Sequence, residues 1–129
     1  MKYDQIKPSK SYEKLTEEQF QKHMKSLLPE NPTKYSIRKL IVCKDGFTMS
    51  VQAGWGKYSL PREYRGNYCD SYEFEDTYQK WEVGFPSDRP SEEMMKYVED
   101  ETAPTETVYG YVPSQVIIDE INSRGGLDV

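Results

Sequence analysis

The sequence predicts an α+β domain, a mostly antiparallel sheet of four or more strands with about three helices packed against it. Three observations predict it. A capped, helix-periodic segment lies near the N-terminus. A hairpin signal with strict alternation follows it. Two further strand-like runs are then interleaved with helical segments.

Residues 1–14 are polar, contain Pro8, and are expected to form a flexible N-terminal arm, with 15–129 making one domain. Thr16 opens T-E-E-Q, in which a hydroxyl at the N-cap and Gln19 at N3 can satisfy each other's backbone donors. Phe20, Met24, Leu27 and Leu28 follow at helical spacing, with Leu15 placed for a staple contact, and Pro29 and Pro32 stop the helix. The expectation is a helix over 16–28.

Asp45-Gly46 is a hairpin turn signal, and Phe47, Met49, Val51 and Ala53 alternate with polar residues beyond it. The run from Leu40 to Cys43 is continuously apolar, which predicts a central rather than an edge strand. A hairpin is expected across 37–53. Residues 54–79 hold no period for long and read as a long ordered loop, too aromatic for disorder.

Trp81, Val83 and Phe85 alternate with Glu82 and Gly84, predicting a strand with the three large side chains on one face. Ser91 is placed to cap a short helix containing Met94, Met95, Tyr97 and Val98. An exposed acidic loop over 99–106 precedes a strand at 107–112, where Gly110 separates Tyr109 and Tyr111 and period two puts both rings on one face. After Pro113 a last helix carries Val116, Ile117, Ile118 and Ile121 and ends at Gly125-Gly126.

Charge is unevenly spread. The net formal charge is −5, yet residues 1–62 carry 12 basic and 6 acidic groups while residues 63–106 carry 4 and 13. The acidic middle argues against direct nucleic-acid binding, which rests on phosphate neutralisation. No segment approaches the ~20 apolar residues of a membrane span. No apolar leader precedes the domain, so a cytoplasmic location with reduced thiols is expected.

Chemistry-bearing residues are sparse. His23 is the only histidine and falls within the first helix, while Cys43 and Cys69 stand apart, too few soft ligands for a four-ligand zinc site. Cys69 beside Asp70 has no source of thiolate activation. Glu73, Glu75, Asp76, Glu82, Glu92 and Glu93 supply carboxylates, and Glu73 and Glu75 would share one side of a strand, but no spacing marks a catalytic pair. Gly54, Gly56, Lys57 and Ser59 lack the spacing of a phosphate-binding loop. No catalytic residue, metal or cofactor is therefore assigned.

The mixed aromatic and basic stretch Trp55, Lys57, Tyr58, Arg62, Tyr64, Arg65, Tyr68 and Tyr72 is the candidate binding surface, since Tyr, Trp and Arg dominate interface hot spots. The same rings could fill the core or stack on a small ligand. Glu73, Glu75, Asp76, Glu99, Asp100 and Glu101 form a candidate acidic face that could compete for a nucleic-acid-binding surface on a target.

Three fragments carry a resemblance: L-I-V-C-K-D-G-F-T-M-S-V-Q-A-G-x-G-x-Y-S-x-P-R at 40–62, W-E-V-G-F-P-S-D-R-P at 81–90, and V-Y-G-Y-V-P at 108–113 before a helix ending in G-G. Together they resemble a group of small accessory proteins encoded by bacteriophages and prophages, over roughly residues 37–126. The resemblance implies action in the bacterial host cytoplasm, and genes of this kind often encode anti-defence inhibitors, anti-CRISPR proteins among them. The functional expectation is a non-catalytic protein that inhibits or redirects a bacterial host protein or defence complex. The alternatives are a small-molecule or nucleotide-signal sponge, or a carboxylate-dependent enzyme. A homodimer through an apolar strand edge is compatible with the sequence.

Overall fold

The computed structural model of the protein describes residues 14–61 and 73–129. The expected arm, apart from Lys14, lies outside the described residues, as do Arg62, Tyr64, Arg65, Tyr68, Cys69 and Tyr72.

The fold is α+β, with elements in the order α1 (Glu17–Ser26), β1 (Ile41–Val42), β2 (Thr48–Gln52), β3 (Lys80–Gly84), α2 (Glu92–Met95), β4 (Val108–Pro113) and α3 (Ser114–Ser123). The strands form a four-stranded antiparallel sheet in sequential order, β1-β2-β3-β4, with the helices packed against it. Strands consecutive in the chain are neighbours in the sheet, and antiparallel neighbours need no crossover.

The capping box forms as expected. The Thr16 hydroxyl accepts the Gln19 N–H at 3.2 Å, and the Gln19 side chain accepts the Thr16 N–H at 3.0 Å. Phe20 and Met24 then face the core. The Ser91 hydroxyl caps α2 by accepting the Met94 N–H at 3.2 Å. Gly125 and Gly126, at φ +89° and +92°, end α3 in a backbone region that side-chain-bearing residues avoid.

Trp81 is the centre of the core. Its ring meets Phe20 edge-on at 5.3 Å and Tyr78 at 5.3 Å, and its Nε1–H donates to Ser114 Oγ at 2.9 Å. Met49, Val51, Val83, Tyr109 and Val112 from the sheet and Ile117 and Ile121 from α3 close around it. The core thus takes Tyr78 and Tyr109 from the chain's many tyrosines, which bury large rings while keeping a polar tip bonded. The Tyr109 hydroxyl donates to the Pro104 carbonyl at 2.6 Å.

Three expectations are corrected. First, β1 is an edge strand, not a central one. Its apolar run alternates: Ile41 and Cys43 are buried, while Leu40 and Val42 are exposed. Second, Phe85 does not join Trp81 and Val83 in the core. The strand ends at Gly84, Phe85 turns to φ +50°, and its ring is exposed. Third, Tyr109 and Tyr111 do not share a face. Val83 pairs with Tyr109 and Trp81 with Val112, so Gly110 and Tyr111 together oppose Glu82 in a bulge. The extra residue inverts the alternation, leaving Tyr109 inside and Tyr111, at φ +55°, outside.

Candidate interaction surface

The sheet has two unlike faces. On the helix-covered face the side chains are buried. On the other, Thr48 and Ser50 of β2 and Val108 of β4 are partly exposed.

The loop after β2 crosses this outer face. The Tyr58 N–H donates to Glu82 Oε1 at 2.9 Å, and the Tyr58 carbonyl accepts the Tyr111 N–H at 3.0 Å. Tyr58 lies over Gly110 and its ring stands 5.8 Å from that of Tyr111. Trp55 turns to a different neighbour, meeting Tyr35 edge-on at 5.5 Å with Lys34 Nζ 4.7 Å from its ring centroid. Of the expected binding residues, Tyr58 lies on the outer face, while Trp55 is engaged with Tyr35 and Lys34 and the Lys57 N–H with the Gly54 carbonyl.

The segment leading into β1 is fixed by two buried polar residues. Gln52 Oε1 accepts the Arg38 N–H at 2.8 Å and its Nε2 donates to the Arg38 carbonyl at 3.0 Å. The Arg38 side chain enters the core, where Nε donates to the Met24 carbonyl and a terminal N–H to that of Ala53. Its guanidinium lies 5.2 Å from the Trp81 ring centroid. A planar, weakly hydrated cation tolerates such a site where an ammonium would not.

With the segment so held, Tyr35, Ile37, Leu40 and Val42 are left exposed along it, Ile37 at 62% and Leu40 at 53%. Adjacent exposed apolar side chains of this size mark interaction sites, whereas isolated ones need no explanation. Of these, Leu40 and Val42 belong to the run expected to be a central strand, and its edge position is what exposes them.

The acidic residues do not make one face. Asp76 pairs with Lys25 of α1 at 2.7 Å, and that contact holds its carboxyl below the usual range. Glu73 and Glu75 lie in the same non-strand segment. Glu99 joins the start of β4 instead, its N–H donating to the Val108 carbonyl, and Asp100 has its carboxyl pKa lowered by the Thr102 hydroxyl and N–H.

The groups tested for chemistry lie apart. His23 is half-buried on α1, and desolvation lowers its pKa. Cys43 is buried on the core side of β1, and burial pushes its thiol up to about 11, with Asp45 adding to the effect. Around Gly54-Trp55-Gly56 the Gly54 N–H already donates to Ser59 Oγ and the Lys57 N–H to the Gly54 carbonyl, so those donors do not converge on an anion. Among the described residues no three His, Cys, Asp or Glu side chains are placed to share a cation, and no helix is long and apolar enough to cross a membrane.

Two grooves occur elsewhere. One, of about 460 Å³, lies between α1, residues 77–79 and the start of α3; the other, of about 280 Å³, surrounds Arg124 beside the β1–β2 turn. Neither is lined by Trp55, Lys57 or Tyr58. Arg124 was missed by sequence reading, as was its partner Glu120. Buried Glu120 accepts Arg124 Nε–H at 3.1 Å and the Ser91 N–H at 3.0 Å, tying α3 to α2.

The chain matches no family model, no curated protein and no solved structure. The likeness to bacteriophage and prophage accessory proteins accordingly has no support, and the phage, anti-defence and anti-CRISPR assignment drawn from it is withdrawn.

Proposed function

We propose that the protein is a non-catalytic binding protein that engages another protein through the outward side of β1 and its lead-in segment. The observation that carries this is the exposure of Ile37, Leu40 and Val42 on a backbone locked by Gln52 and Arg38. Apolar side chains shown to water on a rigid frame lose little conformational freedom on binding, so their burial contributes to affinity rather than to ordering. Protein interfaces concentrate their energy in such apolar and aromatic anchors.

The alternatives lack a comparable feature. Glu82 is occupied by the Tyr58 N–H and Asp76 by Lys25, which does not favour a carboxylate-based reaction centre. Of the aromatic rings expected to stack on a small ligand, the two among the described residues, Trp55 and Tyr58, meet separate neighbours.

A photo-cross-linking side chain at Leu40, compared with one at exposed Asp119 on α3, tests the proposal in cells that carry the gene. A discrete adduct from position 40 and none from 119 is expected. Equal labelling from both positions, or none from 40, would reject it.

A further inference from the structure

We infer that the partner presents an acidic amphipathic protein segment to this surface, its carboxylates meeting Lys39 and Lys44 and its apolar side chains covering Ile37, Leu40 and Val42. The inference rests on the binding role proposed above and adds the chemistry of the partner.

Charge is the first argument. Residues 31–44 hold four basic residues and no acidic one, in a chain whose net charge is −5. Arg38 is spent inside the core. Lys39 and Lys44 are exposed and take part in none of the ion pairs formed among the described residues. The contrast with Lys25 and Lys96 is direct, since both of those meet a carboxylate of the chain itself. Unmatched charge beside exposed apolar side chains selects a partner of opposite sign and steers its approach.

The backbone limits how that partner docks. The outer edge of β1 is already occupied at Cys43, where the Lys44 N–H donates to the Gly126 carbonyl at 2.9 Å and the Asp128 N–H to the Val42 carbonyl at 2.9 Å. A partner strand cannot add there without displacing the C-terminal residues. Recognition therefore runs through side chains rather than by strand addition.

Edge lysines also have a protective role, because charge on an edge strand discourages pairing with other sheets. The two roles respond differently to charge reversal. A guard works with either sign, whereas recognition of an acidic segment requires a cation.

The test uses the full chain, ¹⁵N-labelled, and two synthetic amphipathic peptides of equal length, one alternating Glu with Leu and the other Lys with Leu. The acidic peptide should shift the amides of residues 37–44 and the basic one should not. The double variant Lys39→Glu/Lys44→Glu should keep its melting temperature and bind the acidic peptide roughly tenfold more weakly, about what two surface charge pairs supply. Equal binding of both peptides at 37–44 would overturn the charge assignment and leave the binding role intact. Shifts elsewhere, or none, would overturn the inference, and the Leu40 adduct would then show separately whether the binding role survives. A concentration-dependent dimer that the double variant abolishes would also overturn it, by making the occupant a second copy of this chain.

Discussion

The carboxamide of Gln52 bonds both backbone groups of Arg38, at 2.8 Å and 3.0 Å, as a neighbouring strand would. One side chain thereby extends the pairing edge of β2 past its last strand residue. It also sets the position of Ile37, which precedes Arg38, and of Leu40, two residues after it. Removing it takes away the hydrogen bonds that Gln52 gives a backbone N–H and a carbonyl of buried Arg38. Gln52→Leu is expected to cost about 2 kcal/mol, the loss of two such bonds. Urea unfolding measures it, and amide exchange should show residues 37–40 losing protection first. An unchanged midpoint would mean that the segment is held by other contacts.

Gly110 is the second sensitive position. A Cβ there would lie 3.3 Å from Tyr58 Cβ, closer than side chains normally approach. Gly110→Ala should destabilise by about 1 kcal/mol, typical of modest overpacking. The ring resonances of Tyr58 and Tyr111 should move together. Unmoved rings would show that the crossing loop does not depend on this close approach.

Glu120 is 2% exposed and joins the end of α3 to the N-cap of α2 through Arg124 and Ser91. Glu120→Ala removes the acceptor of the Ser91 N–H and weakens the hold on a guanidinium that also nears Asp45 and Asp88 at 3.9 and 3.7 Å. The expected loss is about 3 kcal/mol, at the lower end for a broken buried pair because those carboxylates remain. Glu120→Gln keeps an acceptor for Ser91 and should cost less. Equal losses for the two variants would show that the charge on Glu120 carries the whole effect and its acceptor role toward Ser91 contributes nothing.

Acid should weaken the fold through His23. Burial lowers its folded pKa below the ordinary 6.5, so the native state binds fewer protons than the unfolded chain. The stability this group contributes is present above pH 6.5 and falls as the pH drops toward and through the folded value. His23→Gln should flatten that part of the stability curve, read as melting temperature against pH. A wild-type curve that is flat or rises on acidification from 6.5 would contradict the assignment.

How far the sequence could be read depends on how local each signal is. The Thr16 capping box and the Asp45-Gly46 turn are decided by neighbouring residues, and both formed as read. The position of β1 at the edge is decided by which strands pair, and four apolar letters cannot report that. The bulge at Gly110-Tyr111 shifts the alternation by one residue, so period two assigned Tyr111 to the wrong side. Arg38 is buried against the usual preference of charged residues because carbonyls of α1 and of the residue after β2 receive its donors. Those carbonyls are brought together only by the fold. The same holds for the exposed apolar surface, legible only once the edge of the sheet is known.

The central claim is that action resides in exposed side chains the fold does not need. Ile37→Ser/Leu40→Ser tests it most directly, measured as partner recovered per protein from native cells, beside an Asp119→Ser control on α3. Surface changes of this kind leave stability within about 0.5 kcal/mol. The double variant should melt with the wild type and lose a partner that the wild type and the control both retain in fixed ratio. Full recovery of that partner by the double variant would contradict the account.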